Sequence, residues 1–562
     1  MSTDHSCSWI LAAAAVLAAV LIYVVPLGNW HLMEPDEGRY AEIPREMIES
    51  GDYVTPRLNY VKYFEKPALL YWLNAAGYRV FGQNEFAARF PSALAALGGA
   101  LAAGLFAGRI YGRRAGVLSG IITATSMLYF AVGRINITDM PMSFFLTLAL
   151  AAFYAGCTGG NRKWYLLFYA AMGLGVLTKG LIGVVLPAGV IFWYAVFTRK
   201  WRLFREVFYL PGIVLFLVIA VPWFYKVCSI NSDFFHFFFI REHFLRYLTK
   251  MHGRYQPFWF FLPLIPAGML PWTGFLFSLF SRESVVRSPQ SGAEKDACVF
   301  LLLWFGVIFL FFSCSGSKLI PYIVLCLPPL AILIGADISR MVESGKLHGG
   351  VFFWNAAIAV VFSAALAGYA LTNHRFSLSQ TALPAALISA GILTIPCGLF
   401  KILRRRTAGG ESSLEKMPAL LCLAALIFLL GLQPIFPLVA STRSSYEVSR
   451  TVLKEKQDGD TIAVYGEVLQ GLPFYTRSRV MLVDYLGELE FGAGHAEGKG
   501  WFPGRDEFLA EWNAGKRPFV LVVRKKRLKE LFPGGPGSGV KIVSSGKYDV
   551  LIKREAAKQN ER

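Results

Sequence analysis

The chain has 562 residues, of which 55% are hydrophobic, and its mean hydropathy is +0.47. A soluble protein of this length does not contain so many long apolar runs, since about 20 consecutive apolar residues cross a bilayer. The composition therefore excludes a soluble enzyme and predicts a polytopic membrane protein. The net charge of +19 predicts no nucleic-acid partner, because the basic residues fall in short loops between apolar runs, where they act as topology signals.

The apolar runs predict an all-α membrane domain over residues 1–440 with about 13 transmembrane helices. We expect the first run to remain as an anchor, because no signal-peptide cleavage pattern closes it. The expected spans are 9–27, 86–108, 115–132, 141–157, 164–178, 181–198, 207–226, 258–280, 297–313, 319–337, 351–372, 382–401 and 418–440.

The loops between these runs alternate in charge. With a cytoplasmic N-terminus, every second loop is expected to be basic. The basic loops fit that order and are 109–114, 161–163, 198–205, 282–295, 340–346 and 401–406. This frame predicts a bacterial inner membrane protein with its other loops, and residues 441–562, in the periplasm.

Two of the periplasmic loops are long. Residues 28–85 contain an amphipathic stretch from Tyr40 to Glu49, which predicts a helix lying in the membrane interface. Residues 227–257 are rich in aromatic and basic side chains, which are common at the headgroup level.

The composition changes after residue 440 and predicts a small periplasmic α/β domain over residues 441–562. Short β-branched runs predict strands, and two segments between them predict helices. The strands are 461–465, 480–483, 519–523 and 540–543, and the helices are 507–514 and 525–531. Neither a dinucleotide fingerprint nor a P-loop occurs, and eight scattered cysteines predict no disulfide framework.

Ionisable residues collect at the periplasmic ends of the expected spans. They are Glu34, Asp36, Glu37, Arg39, Glu65, Lys66, Arg134, Asp139, Lys179, Arg241, Glu242, His243, His252, Arg254 and Lys318. Charge beside hydrocarbon is costly unless it pairs or functions, so we predict one pocket at the outer membrane surface. Cations there would pair with phosphate oxygens, and a carboxylate would act as a base or stabilise positive charge at a sugar carbon.

Each of these residues also has a structural interpretation. Asp36 and Asp139 could cap helices, and Glu65 with Lys66 could form a surface ion pair. His243 and His252 could be interfacial residues, and Lys179 and Lys318 could extend to lipid headgroups. A lipid or ion transporter would use similar charges as a pathway, but we find neither an internal repeat nor charges at span midpoints.

Several motifs resemble the bacterial lipid A aminoarabinose transferases, which belong with the protein mannosyltransferase-like enzymes of the GT-C fold. The motifs are 34–43 (EPDEGRYAEI), 51–59 (GDYVTPRLN), 63–67 (YFEKP), 88–91 (ARFP), 134–141 (RINITDMP) and 315–322 (SGSKLIPY). The resemblance covers residues 8–340, whereas the C-terminal part matches in architecture.

The resemblance implies an integral membrane glycosyltransferase. Its donor would be 4-amino-4-deoxy-L-arabinose on undecaprenyl phosphate, and its acceptor a phosphate of lipid A. The product would lower the negative surface charge and give resistance to polymyxin. The same fold could instead use another lipid-linked sugar, such as a hexose or galacturonate, or a protein hydroxyl acceptor.

The resemblance also implies roles for particular residues. Asp36 matches the catalytic aspartate and Asp139 a supporting carboxylate. The positions that bind substrate are Arg39, Tyr40, Tyr63, Lys66 and Tyr322, to which the charge pattern adds Arg254 and Lys318. Glu65 and His252 match positions that can hold a divalent metal such as zinc, and no other cofactor is expected.

Overall fold

The computed structural model describes residues 17–18, 20–245, 255–348, 350–372, 377–407, 413–515 and 517–554. The chain divides into two compact units. The helical unit consists of Met1–Leu27 and Arg89–Leu438, and the loop–sheet unit of Gly28–Ala88 and Val439–Arg562.

Residues 28–88 form two helices and a short hairpin. These elements are α1 (Asp36–Ser50), β1 (Arg57–Leu58), β2 (Val61–Lys62) and α2 (Leu69–Phe81). The amphipathic stretch 40–49 was expected to lie in the membrane interface, but α1 is buried from Glu37 to Met47. The cause is packing within the loop–sheet unit, where the Cα of Gly38 faces the backbone of Gly471 so closely that no Cβ would fit.

Helices of 5 to 30 residues follow from residue 85 to residue 443. They are α3 (Glu85–Tyr111), α4 (Arg113–Thr125), α5 (Met127–Val132), α6 (Asp139–Gly159), α7 (Trp164–Lys179), α8 (Ile182–Thr198), α9 (Leu203–Val207), α10 (Leu210–Ile230), α11 (Leu264–Gly268), α12 (Thr273–Ser278), α13 (Gly292–Cys314), α14 (Leu327–Ser344), α15 (Val351–Thr372), α16 (Leu378–Thr407), α17 (Met417–Leu432) and α18 (Ile435–Arg443). A π-helix covers His236–Leu245, and 3-10 helices cover Phe258–Phe261 and Ile320–Cys326.

Eight helices among the described residues are long and apolar enough to cross a membrane. The expected spans near 115, 164 and 181 correspond to shorter helices, since α4 has 13 residues, α7 has 16 and α8 has 17. The expected span 9–27 lies mostly outside the described residues. The all-α polytopic fold is confirmed, and the count of 13 spans stays a prediction.

Small residues let the helices of the helical unit approach closely. A Cβ on Gly116 of α4 would lie 2.7 Å from the carbonyl of Gly104 on α3, and one on Gly335 of α14 would lie 2.3 Å from Ser119 Oγ. Helices in lipid associate through such close backbone contacts. The hydrophobic effect does not drive their association, because lipid tails are as apolar as the side chains.

The C-terminal segment forms a five-stranded mixed sheet with helices around it. Its elements are α19 (Tyr446–Glu455), β3 (Thr461–Tyr465), α20 (Gly471–Thr476), β4 (Val480–Val483), α21 (Glu490–Ala493), α22 (Arg505–Ala514), β5 (Phe519–Arg524), α23 (Leu528–Leu531), β6 (Lys541–Ser545) and β7 (Tyr548–Lys553). The strand order is β4-β3-β5-β7-β6; β3 pairs in parallel with β4 and β5, and β7 pairs antiparallel with β5 and β6.

This sheet has its own core. Trp512 and Phe508 of α22 are fully buried against Phe519 and Leu521 of β5. The hairpin of residues 57–62 reaches the sheet edge, where the Asn59 side chain donates to the carbonyl of Val480 at 2.7 Å and accepts from its amide at 2.8 Å. The predicted C-terminal strands are confirmed, although the sequence analysis missed β7.

Candidate active site

Asp36 is the first residue of α1, and its carboxylate does not cap the helix. Its side chain is 45% exposed and lies 3.6 Å from Nη1 of Arg39, one turn later. The second terminal nitrogen of Arg39 lies 2.5 Å from Oε2 of Glu488 in the C-terminal segment. The exposed carboxylate of Asp36 is therefore accessible to a substrate. The buried Arg39 guanidinium beside it is held in place by Glu488.

Two tyrosine rings enclose the Arg39 guanidinium. Its central carbon lies 5.8 Å from the ring centres of both Tyr40 and Tyr63, at cation–π distance. The Tyr63 hydroxyl and Arg39 Nε are buried without a hydrogen-bond partner among the described residues. Buried polar groups are rarely left unpaired, so this pair of atoms is suited to contact a bound ligand.

The surroundings of Tyr63 and Arg39 fix the ionisation state of each side chain. Burial raises the pKa of Tyr63 well above its usual value, so the phenol stays neutral and can donate. Burial alone would lower the pKa of Arg39, but Tyr63, Glu488 and Asp36 outweigh it and raise that pKa. The site therefore presents a permanent cation beside an exposed carboxylate.

The segment before α1 is held by Glu34. Its carboxylate accepts from the backbone amides of Gln470 at 2.9 Å and Gly471 at 2.8 Å. Burial raises the pKa of Glu34 to about 7, although hydrogen bonds from Ser445, Gly471 and Gln470 oppose the rise. The Gln470 side chain also donates to Glu488, so one residue joins the supports of Glu34 and Arg39.

Glu65 and Lys66 follow β2 in the same unit, and both are partly exposed. The Lys66 amine donates to the carbonyl of Glu65 at 2.9 Å. Within the described ranges, no three His, Cys, Asp or Glu side chains group to hold a metal ion. His252 lies outside those ranges, so the expected metal position of Glu65 and His252 stays a prediction.

A second charged group lies in the helical unit. Asp139 begins α6 and Lys179 ends α7; Lys179 Nζ lies 2.5 Å from Asp139 Oδ1, and both side chains are less than 10% exposed. Lys179 Nζ also lies 4.5 Å from the ring centre of Tyr322. Asp139 makes no capping bond, and Lys179 pairs with it rather than extending to headgroups, so both structural alternatives are wrong.

Lys318 is held by backbone carbonyls of two loops. Its amine donates to the carbonyl of Ser315 at 2.6 Å and that of Gln256 at 3.0 Å, and it lies 5.9 Å from the ring centre of Tyr255. Burial lowers the pKa of Lys318. It therefore ties two loops together, and its predicted contact with a phosphate stays a prediction. Arg254 lies outside the described residues.

Sequence reasoning missed Glu488, Gln470 and the partner of Asp139. Glu488 and Gln470 lie more than 400 residues after Arg39, in a segment without a motif. The isolated Lys179 at a span end was a usable signal, because a periplasmic lysine runs against the usual charge bias. The Asp36 and Asp139 groups belong to different units, and their predicted common cavity stays a prediction.

Comparisons with known proteins agree with the motifs. Residues 65–225 match the family model of dolichyl-phosphate-mannose-protein mannosyltransferase, and residues 448–548 that of the aminoarabinose transferase C-terminal domain. The chain is 32% identical over 535 residues to an undecaprenyl phosphate-α-4-amino-4-deoxy-L-arabinose arabinosyl transferase of Sodalis glossinidius, covering 92% of this chain and 93% of that protein. The chain belongs to the aminoarabinose transferase family.

Further relatives support the same assignment for the aminoarabinose transferase family. A member from Enterobacter sp. strain 638 is 30% identical, covering 89% of this chain and 90% of that protein. The crystal structure of ArnT from Cupriavidus metallidurans bound to undecaprenyl phosphate superposes with a TM-score of 0.81 at 31% identity, covering 97% of this chain and 98% of that one.

Family membership confirms several predictions. The chain is a glycosyltransferase, and it is a multi-pass bacterial inner membrane protein. The transporter alternative is therefore set aside. The C-terminal segment, which resembled the aminoarabinose transferases only in architecture, belongs to them by its sequence as well.

Proposed function

We propose that this chain transfers 4-amino-4-deoxy-L-arabinose from undecaprenyl phosphate to a phosphate group of lipid A. The observation that carries the proposal is the Asp36–Arg39–Glu488 arrangement within a chain of the aminoarabinose transferase family. The solved relative bound to undecaprenyl phosphate supports the same lipid carrier. The added amine would lower the negative surface charge and give resistance to polymyxin.

In the proposed step, an oxygen of the acceptor phosphate forms a bond to C1 of the sugar. The bond from C1 to the donor phosphate breaks, and its electron pair leaves with undecaprenyl phosphate. The acceptor is already an anion near neutral pH and needs little deprotonation. We assign Asp36 to orient the acceptor or to stabilise the positive charge that develops on C1.

The leaving phosphate needs cations and hydrogen-bond donors. Arg39 and Tyr63 have buried donor atoms without a partner among the described residues, and charge-assisted hydrogen bonds to phosphate are strong. We assign these residues, with Tyr40 and Lys66, to the donor. Asp139 acts as the supporting carboxylate, Lys179 positions it, and Tyr322 contacts the substrate. Arg254 and Lys318 complete the proposed substrate contacts.

If a divalent metal binds, Glu65 and His252 would hold it, and it would supply positive charge near a phosphate. We propose the membrane topology that the charges of the loops favour. In it the N-terminus lies in the cytoplasm, and the active site and residues 441–562 lie in the periplasm. Cysteine labelling from outside the membrane tests that placement at exposed positions such as Lys526 and Lys529.

Mass spectrometry of lipid A tests the function directly. We expect lipid A from cells that express the gene to carry an added aminoarabinose that is absent when the gene is deleted. A hexose or galacturonate adduct would establish another sugar, and unchanged lipid A with a modified protein would establish a hydroxyl acceptor. Either result would overturn the proposal.

A further inference from the structure

We propose that a groove in the loop–sheet unit binds the phosphate group of a membrane lipid, at a position separate from Asp36. The groove has a volume of about 380 Å³ and lies where α1, α2 and the end of α20 meet. Its lining residues are Arg45, Ile48, Glu49, Tyr78, Arg79, Gln83 and Arg477. The proposal goes beyond the transferase function, because nothing in it depends on transfer.

The groove carries an excess of positive charge. Three arginines and one glutamate line it. Arg45 donates to Glu42 at 2.7 Å through Nε and pairs with Glu49, so its charge is balanced within α1. The uncompensated charge therefore lies on Arg79 and Arg477, which are both exposed.

The two exposed arginines have donors to spare. Arg79 donates to the hydroxyl of Tyr53 at 2.7 Å through one nitrogen. The Arg477 side chain has no hydrogen bond or ion pair within the described part of the chain. A guanidinium presents five N–H donors in a planar fork that matches phosphate oxygens. Two such groups on one rim favour a phosphate over a carboxylate or a neutral headgroup.

The backbone at Arg477 is unusual. This residue directly follows α20 and has the left-handed conformation, with φ +50° and ψ +38°. Glycine is the usual residue there, because a Cβ makes the left-handed conformation unfavourable. An arginine held in such a conformation on the rim of a groove points to a role for its side chain.

Apolar side chains continue the surface beyond the arginines. Leu73 and Val80 on α2 are 38% and 72% exposed, and Phe81 at its end is 43% exposed. Leu73 and Val80 are seven residues apart and share a helix face. An exposed apolar stripe beside cations is the pattern of a surface that meets lipid. We therefore assign the occupant as a lipid with a phosphate headgroup rather than a free phosphate.

A single exposed arginine at a membrane surface could simply extend its charged end towards water. Here the arginines come from segments 398 residues apart in the chain and face the same groove. The floor is formed by Tyr78, which is buried and donates to the carbonyl of Ala41 at 3.0 Å. The groove is thus fixed by the packing of the unit rather than by the membrane.

The test is lipid binding by the full-length protein in detergent, followed by native mass spectrometry. The pair Arg79→Gln and Arg477→Gly removes both charges, and glycine at 477 suits the left-handed backbone, so the fold should be kept. Each arginine contact is a charge-assisted hydrogen bond, so we expect apparent affinity for phosphatidylglycerol, which is not the proposed acceptor, to fall about tenfold per substitution. Lys526→Gln, an exposed cation elsewhere in the unit, is the matched control.

The probes distinguish the sources of phosphate. We expect wild-type protein to retain lipid A or phosphatidylglycerol more strongly than phosphatidylcholine, with partial competition by inorganic phosphate. Equal retention of all three lipids would overturn the proposal. So would unchanged binding in the double variant, an equal loss in the Lys526→Gln control, or binding of inorganic phosphate without either anionic lipid.

Discussion

Replacing Glu34 by glutamine should remove a pH dependence from the stability of the loop–sheet unit. Burial raises the pKa of Glu34 from 4.5 to about 7. The folded state therefore holds this proton more tightly than the unfolded chain between those values. Stability from this group falls as pH rises through that window and is constant above it.

The size of the effect follows from the shift. One pKa unit corresponds to about 1.4 kcal/mol, so a rise from 4.5 to about 7 gives at most about 3.5 kcal/mol. The value is an upper limit because Glu34 keeps some contact with solvent. Glutamine does not titrate, so stability of the Glu34→Gln variant should lack this slope.

Hydrogen exchange of the sheet amides is the suitable assay. The opening free energy of β3 and β5 amides would be measured in full-length protein between pH 5 and pH 8, with correction for intrinsic exchange rates. The opening free energy of wild type minus that of the variant should fall as pH rises through that window, because only wild type loses stability there. The exposed Glu447→Gln on α19 is the control. A wild-type-minus-variant value that is constant with pH, or that rises with pH, would refute the reasoning.

Three further predictions concern packing and buried charge. Lys179→Met leaves the buried Asp139 carboxylate without its partner and should destabilise the helical unit by about 3–5 kcal/mol; an unchanged thermal unfolding midpoint would contradict this. Gly38→Ala puts a Cβ 2.5 Å from the amide of Gly471 and should cost about 1–3 kcal/mol, whereas Gly534→Ala, with open space around it, should cost little. Trp512→Ala empties the core beneath β5 and should lower amide protection there by about 3–5 kcal/mol; retained protection would show that another residue fills the space.

The sequence predicted the strands and helices whose formation depends on neighbouring residues. The strands at 461–465 and 480–483 have the predicted boundaries, because short β-branched runs between turn residues have few alternatives. Strand β7 was missed, since Asp549 and Lys553 interrupt its apolar run. The apolar runs predicted the polytopic helices for the same reason, as length and hydropathy are local properties.

Contacts between distant segments of the chain could not be predicted from the sequence. The amphipathic stretch from Tyr40 to Glu49 predicted an interfacial helix, yet α1 is buried from Glu37 to Met47, and Gly38 packs against the backbone of Gly471. The motif around Asp36 and Arg39 was visible, but Glu488 was not, because a single carboxylate in a distant segment has no local signature. The pairing of Asp139 with Lys179 required the ends of α6 and α7 to meet, which charge bias suggested without naming the partner.

The central claim is that Asp36 acts on the reacting sugar phosphate. The most direct measurement is transfer by purified protein, with aminoarabinose on undecaprenyl phosphate as donor and lipid A as acceptor. The Asp36→Asn variant keeps the size of the side chain and should retain the fold, as judged by its unfolding midpoint. We expect its rate to fall by a factor of at least about 100; full activity in a folded Asp36→Asn protein would contradict the account.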